Sequence, residues 1–217
     1  MLDDLKALHE RDAQDALGIA ERQWQQLGYE FEVFQDQIEA DNIVYAGMGG
    51  SALAALLSLS WPGYDRPFEV VRGYDIPAYV SERTYFIAAS YSGNTEEILS
   101  ALEQAEARGA QIAVIAGGGK LAEIAEQKNY PLALLPKAAQ PRYAVLYNLK
   151  ALLVLLEQAG ILKDEAGVSA ELAKAAEFLK SAVQAWVPTV PTDNNFAKQI
   201  ALDCLGKSAV IYGGAKL

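Results

Sequence analysis

A chain of 217 residues, 52% hydrophobic and 21% charged, is long enough for one full domain and part of another, with ample apolar material for a core. Its formal net charge of −10 argues against nucleic acid or an anionic membrane as the main partner, and no apolar run approaches the ~20 residues of a membrane span. The single cysteine, Cys204, excludes an intramolecular disulfide, and with one histidine there is no Cys/His metal cluster.

The start of the chain is acidic and helical rather than a signal peptide, so a cytoplasmic protein is expected. From Asp3 to about Gly28, Leu5, Leu8, Ala13, Leu17, Ile19 and Ala20 alternate with charges and predict one or two helices, within a helical arm that takes up residues 1–40. His9, among Glu10, Arg11 and Asp12, reads as a solvated side chain. Asn42 to Gly47 is the first strand, and Gly47-Met48-Gly49-Gly50-Ser51 turns into a helix over Ala52 to Leu59. Gly47, Gly49 and Ala52 also fit the loose dinucleotide fingerprint G-x-G-x-x-G/A. That motif wants an acidic residue at the end of the second strand, and Phe68 to Tyr74 has Glu69 at its start and Asp75 beyond its end. A dinucleotide-binding oxidoreductase is therefore the weakest reading.

Tyr85 to Ala89 predicts a strand covered on both faces, and Ile98, Leu99, Leu102 and Ala105 predict an amphipathic helix. Between them lies Ser90-Tyr91-Ser92-Gly93-Asn94-Thr95. Asn94 and Glu97 have capping-box spacing, which places the helix start there and leaves its first N–H groups pointing into the turn. Those groups and the positive end of the dipole attract a phosphate, Ser90, Ser92 and Thr95 add neutral donors, and Gly93 lets the backbone close around an oxyanion. For this stretch alone, an ordinary serine-rich loop is the other reading. Exposed charges more than about 8 Å away are screened at physiological salt, so the acidity of the chain does not oppose such a site.

Gln111 to Ala116 is a fourth strand, Gly117-Gly118-Gly119-Lys120 opens a helix over Leu121 to Gln127, and Pro131 to Pro136 is a fifth strand. The alternation predicts an α/β fold: a parallel five-stranded sheet with helices on both faces, plus flanking helices. Ligands then bind beyond the carboxyl ends of the strands, where both Gly/Ser loops fall. Gln140-Pro141-Arg142-Tyr143 opens a long helix over Ala144 to Leu156. Pro141 suits a first helical turn, and Arg142 is the cation best placed to reach a phosphate or sugar hydroxyls, unless it pairs with a surface carboxylate. Beyond Gly160 the pattern breaks at Lys163-Asp164-Glu165 and Gly167, a helix runs from about Ser169 to Trp186, and Val187 to Thr192 is a stiff linker. A helix from Asp193 through Leu205 carries Cys204 on its apolar face as a core residue, and Ser208 to Gly214 reads as a further strand with a glycine turn.

Together these residues resemble the sugar isomerase (SIS) domain family, through Ser90 to Thr95. More narrowly they resemble the bifunctional phosphoglucose/phosphomannose isomerases, through Gly47 to Ser51, Arg72-Gly73-Tyr74-Asp75-Ile76-Pro77, Ser90 to Glu97, Gly118 to Leu121 and Gln140 to Arg142 in that order. The resemblance implies a flavodoxin-like or Rossmann-like first SIS domain over residues 41–160, a helix and linker over 161–192 and the opening of a second SIS domain over 193–217. It implies exchange of glucose 6-phosphate or mannose 6-phosphate with fructose 6-phosphate through an enediol, with no metal or cofactor. Gly49, Gly50, Ser51, Ser90, Ser92 and Thr95 would hold the phosphorylated hexose, and Arg142 would act catalytically near its reacting end. In that family the glutamate base, a histidine and a late lysine lie in the second domain, after a strand like Ala209 to Gly213. The expectation is thus a binding half, cut short and inactive alone. A non-catalytic sugar-phosphate sensor module is the alternative. Helix-cap and dipole roles account for Glu96 and Glu97. A homodimer is expected, through the helix Ala144 to Leu156 or the N-terminal arm.

Overall fold

The computed structural model describes residues 2–60, 63–138, 140–162 and 167–213. In chain order its elements are α1 (Leu5–Arg11), α2 (Ala16–Arg22), β1 (Asn42–Gly47), α3 (Gly50–Ser58), β2 (Phe68–Val71), β3 (Thr84–Ser90), α4 (Glu96–Ala107), β4 (Gln111–Ala116), α5 (Gly119–Lys128), β5 (Leu132–Leu134), α6 (Val145–Gln158), α7 (Val168–Val183) and α8 (Phe196–Asp203). They divide into an α/β unit, residues 29–170, and a helical unit made of the first 28 residues and those from Glu171 onward.

In the α/β unit all strand pairs are parallel and the order is β2-β1-β3-β4-β5. Every residue of β3 is buried, as a strand with helices on both sides requires. The two-residue strand period sends Ile43, Tyr45, Tyr85, Ile87, Ala113 and Ile115 to one face, against Ala55 of α3 and Ala151, Leu152, Leu155 and Leu156 of α6. Val44, Ala46, Phe86, Ala88, Val114 and Ala116 go to the other face, against Ile98, Ala101, Leu102 and Ala105 of α4 and Leu121, Ala122 and Ala125 of α5. At about 1.5–3 kcal/mol for each fully buried large aliphatic side chain, these two layers hold the sheet between its helices. The α/β architecture is the one expected. Because β2 and β3 flank β1 on opposite sides, the strand order reverses at the carboxyl ends of β1 and β3, the place where such sheets bind ligands.

Several expectations need correction. The arm is helical only to Gly28; residues 29–40 form no helix, because Val33 and Ala40 are drawn into the sheet core and Gln35 accepts a hydrogen bond from the buried Tyr85 hydroxyl at 2.8 Å. The fifth strand shrinks to Leu132–Leu134, since Pro131 and Pro136 lack the N–H a ladder needs. Residues 208–213 form no strand: Val210, Ile211 and Tyr212 are largely exposed, and a strand exists only where a neighbour completes its hydrogen bonds. Cys204 is not a core residue but is exposed just beyond α8, whose Phe196, Ile200 and Leu202 are exposed as well. The dimer contact expected of α6 is not available on its main apolar face, because Leu152, Leu153, Leu155 and Leu156 are wholly buried within the chain. The break read at Lys163 to Glu165 lies outside the described residues, as does Gly214.

In the helical unit, Asp3 accepts hydrogen bonds from Lys198 Nζ at 2.8 Å and from the Thr192 hydroxyl at 2.9 Å, and Lys180 Nζ stands 5.0 Å from the centroid of the Trp24 ring. His9 is exposed on α1, its Nδ1 2.6 Å from the Leu5 carbonyl oxygen.

Candidate functional site

Turns following β1, β3 and β4 pack against one another at the carboxyl edge of the sheet. β1 ends at Gly47, and Gly49 turns the chain at φ +52°, ψ −124°, a conformation cheap only for glycine, so α3 starts at Gly50, two residues earlier than expected. The Tyr45 hydroxyl, pushed by burial to stay protonated, donates to the Ser51 carbonyl at 2.8 Å and fixes this start from below. Ser51 Oγ in turn accepts the Tyr91 N–H at 3.3 Å. The first two turns are therefore directly joined.

Ser90, the last residue of β3, is 2% exposed, and its Oγ lies 2.7 Å from Thr95 Oγ1 and 3.4 Å from Ser92 Oγ while accepting the Gly93 N–H at 3.1 Å. Gly93 adopts φ +68°, and a Cβ on it would stand 1.7 Å from the Gly118 carbonyl oxygen. Only glycine lets the β3 turn sit on the β4 turn this closely. The contact is sewn by three backbone amides: Gly117 N–H to the Tyr91 carbonyl at 3.0 Å, Leu121 N–H to the Gly93 carbonyl at 2.9 Å and Lys120 N–H to Asn94 Oδ1 at 3.2 Å.

Asn94 is thus not the helix cap. The cap position belongs to Thr95, α4 begins at Glu96, and Asn94 Oδ1 accepts the Lys120 N–H while its Nδ2 donates to the Ser92 carbonyl. Thr95 Oγ1 turns to Ser90 instead of its own helix, and the N-cap residues of α3 and α5 are glycines, so no N-cap side chain bonds α3, α4 or α5, and in α5 the Lys120 and Leu121 N–H groups are taken by the β3 turn. By contrast, α1 and α8 are capped by Asp4 and Asn195. At α3 and α4 the uncapped first turns leave N–H groups for water or an anion. Glu96 and Glu97 face Tyr74: the Glu97 charge, then burial and the Glu96 carboxylate, raise the Tyr74 phenol.

Gln140 to Arg142 closes the edge. Pro141–Ala144 form a 3-10 turn before α6, and a Cβ on Gly50 would meet the Arg142 backbone at 3.5 Å, so this turn lies beside the start of α3. Arg142 is exposed, and among the described residues it forms no ion pair. The geometry thus gathers Gly49, Gly50, Ser51, Ser90, Ser92, Thr95 and Arg142 onto adjoining turns. Hydroxyls and amides at this spacing can hold an oxyanion with neutral donors, each hydrogen bond to a charged group contributing about 1.5–3 kcal/mol. Two contributors escaped the sequence reading: Asn94 as a bridge to the β4 turn, and Tyr91, whose hydroxyl lies 3.3 Å from the Pro136 carbonyl oxygen and 3.2 Å from that of Ala138. The Gly-Gly-Lys run at 118–120 was a signal for the first; nothing local signals the second. Among the described residues no group of three or more His, Cys, Asp or Glu could hold a metal ion, and no helix is long and apolar enough to cross a membrane.

Comparison with known proteins places this geometry. The SIS domain family matches residues 38–162. A bifunctional phosphoglucose/phosphomannose isomerase of Caldicellulosiruptor bescii is 36% identical over 191 residues, covering 87% of this chain and 55% of its own length. A D-glucosamine-6-phosphate 4-epimerase of Sulfolobus acidocaldarius is 41% identical over 123 residues, 55% of this chain and 38% of its own. Among solved structures, a hypothetical protein of Thermus thermophilus shares the fold with a TM-score of 0.54 at 20% identity, over 88% of this chain and 45% of that one. The chain spans about half the length of the curated relatives it matches. With more than half of its residues matched and the two serine-bearing turns joined at the sheet's switch point, the chain belongs to the SIS domain family.

Proposed function

We propose that this chain supplies the phosphosugar-binding half of an aldose–ketose isomerase that exchanges glucose 6-phosphate or mannose 6-phosphate with fructose 6-phosphate. The observation that carries the reading is the bond between Tyr91 N–H and Ser51 Oγ, which makes one donor cluster of the turns after β1 and β3. In this reading Ser51, Ser90, Ser92 and Thr95, with the amides that begin α3 and α4, hold the phosphate. Gly49 and Gly50 allow its close approach. Arg142 reaches the far end of the sugar, where its guanidinium steadies the oxyanion that develops as a proton moves between C1 and C2 through the enediol. The base that moves the proton belongs to a second SIS domain, which residues from 193 onward would open. Relatives named for an isomerase and for an epimerase support binding of a phosphorylated hexose as the shared element. A homodimer in the cytoplasm fits a chain with a single cysteine and exposed apolar side chains on α3, Leu53 and Leu57.

The alternative, a sugar-phosphate-binding module without turnover, is favoured by the placement of the turns' own carboxylates, Glu96 and Glu97, in the first turn of α4, where helix-dipole roles account for them. Calorimetry with fructose 6-phosphate and with fructose is the first test: binding of the phosphate ester alone is expected, and equal or absent binding of both overturns the proposal. Turnover assays on this chain and on a version extended by a second SIS domain then separate the readings. Isomerisation by the extended protein supports the isomerase, and binding without turnover supports the module.

A further inference from the structure

We infer that Tyr91 is a positioning residue, a latch that sets Arg142 at a fixed distance from the turns that hold phosphate. The inference rests on the proposed binding of a phosphorylated hexose at those turns. Tyr91 follows Ser90 at the tip of β3, and each of its polar atoms is engaged with a different turn. Its N–H donates to Ser51 Oγ at 3.3 Å, after β1, and its carbonyl accepts the Gly117 N–H at 3.0 Å, after β4. Its hydroxyl accepts the Ala138 N–H and lies within donating distance of the Pro136 and Ala138 carbonyl oxygens, in the segment after β5.

That last segment carries Arg142 only four residues beyond Ala138. β5 itself is only three residues long, and Leu135 just after it is buried in the core. The bond from Leu135 N–H to the Ala116 carbonyl holds its beginning, and the contact of Arg142 with Gly50 holds its end. The Tyr91 hydroxyl ties the stretch at Pro136 and Ala138, between those two points. Its backbone, by contrast, serves the phosphate turns, so a single residue divides its labour: main chain for the anion site, phenol for the arginine. Phenylalanine keeps the ring's packing in the core cluster while removing the hydroxyl, and it leaves the Ala138 N–H without that acceptor.

The test titrates wild type, Tyr91→Phe, Arg142→Ala and the double variant with inorganic phosphate and with fructose 6-phosphate. Tyr91→Phe is expected to bind inorganic phosphate within about twofold of wild type and fructose 6-phosphate about tenfold more weakly. The double variant is expected to be no weaker than Arg142→Ala, because the two changes remove one interaction. Hydrogen exchange supplies a readout independent of ligand: the Ala138 amide should exchange faster in Tyr91→Phe, and the Gly93 and Gly117 amides should not. Equal weakening toward both ligands, fully additive losses in the double variant, or an unchanged Ala138 amide overturns the latch. A wild type that binds neither ligand overturns the phosphosugar reading itself, whereas a wild type that binds both leaves any failure with Tyr91.

Discussion

Replacing Gly93 by alanine tests whether the turns after β3 and β4 are as tightly joined as the geometry states. Two costs combine there. The first is conformational: a non-glycine residue at φ +68° costs roughly 1–2 kcal/mol. The second is steric, because the added Cβ would stand 1.7 Å from the Gly118 carbonyl oxygen and 3.1 Å from Gly119 Cα, both backbone atoms that cannot swing away. Gly109, just after α4, isolates the first cost: its φ is +73°, and a Cβ there would meet nothing closer than Glu82 Cβ at 3.9 Å. Gly109→Ala is therefore expected to lose about 1–2 kcal/mol, and Gly93→Ala at least about 2 kcal/mol more, since the two turns must part to admit the methyl group. In thermal unfolding that extra loss is about 4–8 °C for a protein of this size. Gly93→Ala should also weaken fructose 6-phosphate binding, which Gly109→Ala should leave alone. Equal unfolding midpoints for the two variants would refute the close approach, and with it the reason for a glycine at this position.

Ser90→Ala removes the partner of Thr95 Oγ1 and one of two acceptors for the Gly93 N–H, whose bond to the Ser90 carbonyl at 3.1 Å survives. Stability should fall by only about 1 kcal/mol while affinity for fructose 6-phosphate falls about tenfold or more, as read by denaturant unfolding and calorimetry. The Asp3 carboxyl is held below the usual carboxylate range, first by Lys198 Nζ and then by the Thr192 hydroxyl. A depressed carboxyl stabilises above its unfolded value near ~3.9 and stops doing so as pH falls through its folded value. Asp3→Asn should therefore speed exchange of the α8 amides at neutral pH and flatten their acid response below about pH 4, with no difference from wild type expected once Asp3 is protonated. Cys204, being exposed, should react completely with a thiol reagent in the native protein. Labelling that waits for unfolding would restore the core reading.

What the sequence discloses is what local physics dictates. β1, β4 and the all-buried β3 were readable because continuous apolar runs bounded by glycine or serine have few other folds open to them. The phosphate-type turns were readable for the same reason: Gly49 and Gly93 have positive φ, and a glycine in such a place marks a turn before any contact is known. Asn94 misled because Asx side chains cap helices and bridge loops with equal ease, and the choice fell to Lys120, 26 residues away. Tyr91 was silent because its role depends on Ser51, Gly117 and Ala138, none of them near in sequence. Residues 208–213 carry the apolar run and β-branched content of a strand, but content is only half of a strand, and the partner decides the rest.

A site made of hydroxyls and amides would also let a chain with a net charge of −10 attract an anion, as proposed. Cations spread over the surface would be partly neutralised by their acidic neighbours, whereas N–H groups at the starts of α3 and α4 point one way and are fixed by the fold before the ligand arrives. On the proposed reading such a site would grip the phosphate end of a hexose, remote from the carbons that react. Binding energy gathered at that end orients the substrate for whatever groups meet its other end. The same half can then serve enzymes named for different reactions, as the isomerase and epimerase relatives are. On this view Arg142 is where shared recognition passes into particular chemistry: it is the cation beside the start of α3, it has no ion-pair partner among the described residues, and the segment that carries it is tied to the phosphate turns through the Tyr91 hydroxyl.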